Sequence, residues 1–188
     1  MNHFWERIRD MYLNPAVGIP AVVREGVFPE ALRIVMVAAV VTTIVSYGES
    51  VQTDDPLTIG ISLLLVFFSI AMWYFSTGIS YIIAKALGGH GKYRTLLTAT
   101  GYASYMSVVL GVIDMFLILV RAPEIVGSIL GFVFFVWMFA VEVFVLREVM
   151  RVSTGKAIVI TLIPLAIVLF IAILLLTAYA AGGGHIPG

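Results

Sequence analysis

The chain contains no cysteine, which excludes a disulfide framework and thiol chemistry. Charge is also scarce. Only 12% of the 188 residues are Asp, Glu, Lys or Arg, against about a quarter in a soluble domain. The three histidines, His3, His90 and His185, all lie outside the long apolar runs. No H-E-x-x-H or G-x-S-x-G stretch occurs. The segment Gly88 to Lys92 does not read as a phosphate-binding loop. Ala86 stands where the upstream glycine is required, and Tyr93 where Ser or Thr must follow the lysine. The net charge of +0 gives no reason to expect nucleic acid. The expectation is a protein without catalytic, cofactor or metal residues, and so not an enzyme.

What the chain does have is apolar length. Hydrophobic residues make up 61% of it, and long runs recur. This predicts an all-α integral membrane protein partnered by the lipid bilayer. Crossing the apolar core takes about 20 residues of helix. Five spans are expected, near residues 31–47, 59–84, 96–120, 125–146 and 157–181. Residues 1–30 precede them as a cytoplasmic N-terminal segment. In residues 2–13, Phe4, Ile8 and Met11 share one helical face and Glu6, Arg7, Arg9 and Asp10 mostly take the other. That periodicity predicts an amphipathic helix, lying in the headgroup region or packed on the ends of the spans; the interfacial form is the expectation carried forward. Asn14-Pro15 ends it, and residues 20–26 can form another short turn. The loop 48–58 carries Glu49, Asp54 and Asp55 and no basic residue. Residues 182–188 read as a flexible glycine-rich tail.

The side on which basic residues fall sets the orientation. Arg7, Arg9, Arg24, Arg33, Lys85, Lys92, Arg94, Arg147, Arg151 and Lys156 fall on one side, and Arg121 alone on the other. The expected topology is multi-pass in the cell membrane, N-terminus in and C-terminus out. Two acids lie inside spans. Asp114 and Glu142 sit at different depths, roughly 10 Å and 8 Å from opposite faces at about 1.5 Å per residue. They do not form one paired site. Intramembrane acids raise an ion or proton path; against it stand a hydrogen-bonded Asp114 and a Glu142 reaching the interface near Arg147. Gly127 and Gly131 form a G-x-x-x-G, expected to let helices of this chain approach closely. A polar seam is expected where Tyr74, Ser76, Thr77, Ser80 and Tyr81 face the polar set of the third run, Thr95, Thr98, Thr100, Tyr102, Ser104, Tyr105 and Ser107, either as interhelical hydrogen-bond glue or as a substrate cavity.

The polar stretch after the second run carries a recognisable order. Lys85 opens Lys-x-Leu-Gly-Gly-x-Gly, ending at Gly91; Tyr93 and Thr95 follow, then Gly101, Tyr102 and Ala103. Its glycines offer φ > 0 for a tight reversal between two helices. The order resembles the Yip-one domain family, over nearly the whole chain. That family comprises small five-span membrane proteins, and its eukaryotic members interact with Rab-type GTPases. No Asp-Leu-Tyr-Gly-Pro box of the eukaryotic proteins precedes the early spans, and Ser104, Tyr105, Met106 and Ser107 replace the usual proline. The chain is therefore read as a prokaryotic member. The resemblance implies a non-enzymatic membrane organiser or adaptor with a cytoplasmic recognition face for a soluble partner, and admits a homo-oligomer. Gly88, Gly89, Gly91, Lys92 and Tyr93, with Gly101 and Tyr102 beneath them, are the expected recognition or structural residues. The alternative is a small transporter or channel using Asp114 and the polar seam.

Overall fold

A computed structural model describes residues 2–52 and 59–181, and regular structure among them is α-helical throughout. Eight helices follow in order: α1 (Asn2–Leu13), α2 (Pro15–Glu25), α3 (Phe28–Gln52), α4 (Ile59–Ala86), α5 (Tyr93–Ala103), α6 (Tyr105–Leu119), α7 (Glu124–Met150) and α8 (Thr154–Ala181). The glycine-rich tail, with His185, lies outside the described residues, as do Asp54 and Asp55. Four segments are long and apolar enough to cross a membrane: Phe28–Gly48, Leu64–Ala86, Tyr93–Leu119 and Ile125–Met150. Their outer faces expose large apolar side chains such as Phe67, Phe75 and Phe132. Only a lipid solvent makes such a surface inexpensive.

Helix covers more residues than each expected apolar run, because such runs mark the membrane core and not the helix ends; four of the five runs fall in segments long and apolar enough to cross. The loop read from residue 48 is helical through Gln52. The second short helix is also longer, starting at Pro15 with Pro20 inside it. Proline costs nothing at the first helical position, where the N–H is unpaired anyway.

The buried core is concentrated at one end of the bundle. Met11, Ile19, Leu96, Tyr102, Leu146, Met150 and Ile160 are its largest fully enclosed side chains. Helix α1 contributes Ile8, Met11 and Tyr12 to it. The interfacial reading of that helix is therefore corrected: its apolar face is covered by the chain itself, while Trp5 and Leu13 stay outward. Enclosing Met11 and Ile19 away from water stabilises the docked hairpin by about 1.5–3 kcal/mol per side chain.

The third span is not one continuous helix. It breaks at Ser104, between α5 and α6. The Ser104 N–H shares the carbonyls of Thr100 and Gly101, and Ser107 N–H bonds back to Ser104. The Tyr12 hydroxyl enters the gap from α1. It donates to the carbonyl of Ala103 and accepts from the Met106 N–H at 3.2 Å. A side chain inserted into the i→i−4 ladder is a recognised cause of a helix break.

At the opposite end, Arg121 closes α6 with φ 51°. Ala122 N–H reaches the Leu117 carbonyl and Arg121 N–H that of Ile118. Arginine thus occupies a left-handed helix cap where glycine is usual, and Pro123 follows it.

A basic platform at one end of the bundle

The turn between α4 and α5 shows two different uses of glycine. Gly88 adopts φ 89°; its N–H bonds to Lys85 and that of Gly89 to Ala84. This is the paired bonding that ends a helix through a left-handed residue. Gly89 and Gly91 do not share that φ, so the left-handed expectation is corrected for both. They are glycine because backbone approaches them. A Cβ on Gly89 would lie 2.8 Å from the Ala84 carbonyl oxygen, and one on Gly91 would lie 2.3 Å from that of Val149. The turn is seated on the end of α7, where the His90 N–H donates to the Met150 carbonyl at 2.9 Å.

The adjoining corner completes the platform. Helix α7 ends on Arg151 with φ 55°, and the Ser153 hydroxyl accepts from the Lys156 N–H at 3.4 Å, capping α8. Lys156 Nζ then donates to the Leu87 carbonyl at 2.7 Å, tying the two corners together. His90, Lys92, Arg151 and Lys156 are exposed on this surface.

The structure sorts the expected site residues. Lys92 presents an exposed side chain. Tyr93 is committed to α4: its hydroxyl donates to the Tyr74 carbonyl at 3.2 Å, and its ring meets Tyr81 edge-on at 5.5 Å. Gly101 lets α5 close on α3, since a Cβ there would lie 2.8 Å from that of Ala31. Tyr102 is fully buried. Its hydroxyl donates to the Glu30 carboxylate, and Arg7 Nη2 donates to the same oxygen at 2.7 Å. The Arg7 guanidinium also lies 5.9 Å from the centre of the Tyr102 ring. Burial alone would lower the Arg7 pKa, but Tyr102 and Glu30 more than offset it and hold the group above its ordinary value. Burial likewise pushes the Tyr12 phenol up, against the lowering effect of the Met106 N–H, so it stays a neutral hydroxyl.

Arg7, Tyr12 and Glu30 were not singled out by sequence reasoning as members of one site. Their partners are 23 to 95 residues away, and no local motif joins them. Of the expected polar seam, Thr77 and Thr100 meet between helices, while Thr98 bonds within its own helix and Tyr102 turns to Glu30. Trp73 Nε1 donates to the Thr100 hydroxyl at 3.1 Å, and the Thr77 hydroxyl meets it at 3.3 Å.

Gly127, Gly131 and Asp114 lie away from this end, towards Arg121. Gly127 has only the Leu117 side chain at 4.0 Å, and Gly131 has nothing within 4 Å of a Cβ position. Among the described residues the pair therefore has no close helix neighbour in this chain. Asp114 is half-buried on α6, and neither it nor Glu142 has a hydrogen bond or ion pair among the described residues. Arg147 lies 4.8 Å over the Phe144 ring instead.

Apolar spans, a hydrogen-bonded seam and one consolidated end define a multi-span α-helical membrane protein. A scan against protein-family models matches residues 2–176 to the Yip1 domain. The chain belongs to that family of membrane proteins. No curated protein and no solved structure matches it.

Proposed function

We propose that the chain is a non-enzymatic membrane organiser of five spans whose basic end is a cytoplasmic docking platform for a soluble protein partner. The observation that carries this reading is where the core lies. The tightest packing and the longest-range polar contacts converge beneath the exposed His90, Lys92, Arg151 and Lys156. A rigid, preorganised surface loses less freedom on binding. The fifth span is α8, whose 28 residues extend about 42 Å at about 1.5 Å per residue, longer than the apolar core of a bilayer. The bias of ten basic residues against Arg121 alone supports a platform and N-terminus in the cytoplasm and a C-terminus outside. The cell membrane is the proposed location.

The double variant His90→Glu, Lys92→Glu tests the docking reading. Both side chains are exposed, so melting in detergent is expected to match wild type. Affinity capture from native membranes is expected to lose a soluble protein that wild type retains. Identical captured sets, at equal folded amounts, would remove the docking role from this surface.

A further inference from the structure

We infer that a cavity beside the platform binds the phosphate group of an anionic headgroup, carried on a membrane phospholipid. The cavity holds about 420 Å³ and lies between the α2–α3 junction and the start of α5. That volume suits a small ligand, for which about 300–1,000 Å³ is usual. Arg24, Lys92 and Arg94 line it, and no acidic side chain does. None of the three has an ion pair among the described residues; the Arg24 Nε contact is to the Pro20 carbonyl at 3.3 Å. Three like charges around one space repel each other, and an anion placed between them offsets that repulsion.

The site is built and not merely charged. Arg94 is held 5.8 Å over the Phe28 ring. Phe28 in turn stacks on Trp73 at 6.5 Å and 14°. Lys92, at the cap position of α5, gives that helix no side-chain cap, so the positive end of the helix adds to the field in the cavity. Val22, Val27 and Pro29 supply apolar wall, which suits the glycerol and first acyl carbons of a lipid. Depth agrees: Phe28 opens the first apolar segment and Tyr93 the third, so the cavity sits where spans leave the hydrocarbon and phosphates begin. Phosphatidylcholine shares the phosphate but adds a quaternary cation, which the three basic side chains disfavour. This inference is independent of any protein partner.

Native mass spectrometry of the full, delipidated chain in detergent tests it, with dioleoylphosphatidylglycerol as the probe. One lipid is expected to be retained tightly, and dioleoylphosphatidylcholine weakly. The variant Arg24→Gln, Lys92→Gln, Arg94→Gln is expected to bind phosphatidylglycerol roughly 100-fold more weakly, since each basic residue near a membrane surface contributes about fivefold. All three side chains are exposed, and an unchanged melting temperature confirms folding. Displacement of the lipid by inorganic phosphate would support recognition of phosphate itself; resistance to it would support recognition of the whole lipid. Undiminished retention by the variant would overturn the site. So would an equal loss in a control with Arg9, Arg33 and Arg151 changed to Gln, which would reduce the effect to the charge of the whole face.

Discussion

Replacing Tyr12 by phenylalanine is expected to destabilise the protein by about 2 kcal/mol, although it removes a single oxygen. The ring still fills its place, so packing is preserved. What is lost is the hydroxyl that bridges the break in the third span, donating to Ala103 and accepting from Met106. A buried polar group left unpaired costs about 1–3 kcal/mol. For a chain of this size that lowers the melting temperature by roughly 4–8 °C. Exchange of the Met106 amide with solvent deuterium should rise at the same time. Unchanged melting together with unchanged protection at Met106 would mean that α5 and α6 close without Tyr12, and that the docked N-terminal hairpin is not a structural part of the span.

A comparable loss is expected from Gly91→Ala. Alanine adds only a Cβ, but the Val149 carbonyl oxygen would be 2.3 Å from it and the Met150 sulfur 2.7 Å. The sulfur can turn aside; the backbone oxygen cannot retreat without disturbing the end of α7. Overpacking of this kind costs about 1–3 kcal/mol. The turn would lift from α7, weakening the His90 to Met150 bond and lowering the yield of folded protein. Gly131→Ala is the matched control, because its Cβ position is open. Its melting temperature should stay within the change expected of about 0.5 kcal/mol at most. Equal melting of Gly91→Ala and Gly131→Ala would contradict the seated turn.

These two residues show what could be read from sequence and what could not. The spans were legible because lipid exposure demands long apolar runs, and α4 and α7 fall where those runs predict. The turn at Gly88 was legible because a left-handed cap needs little beyond a local glycine. The reason for Gly91 was not, since it lies in a carbonyl of a helix nearly sixty residues further on. Ser104 carries no strong breaker, so the interruption of the third span appears only once Tyr12 is seen inside it. Tyr102 stood out as part of a family motif, but its role depends on Arg7 and Glu30, ordinary charges in ordinary helical surroundings. Gly127 and Gly131 fit a packing pattern that finds no close helix partner among the described residues. Local pattern reports the solvent of a helix well and its neighbours poorly.

The consolidated basic end is proposed to face the cytoplasm, and labelling of single cysteines tests that placement directly. Because the chain has no cysteine, any introduced cysteine is a unique label. His90 lies exposed on the platform and Arg121 exposed at the other end of the bundle, while His185 follows the proposed fifth span. An impermeant maleimide applied to intact cells is expected to label His90→Cys only after permeabilisation, and Arg121→Cys and His185→Cys without it. Labelling of His90→Cys from outside, with Arg121→Cys protected, would invert the protein in the membrane and remove the platform from the compartment where its partner is proposed to be.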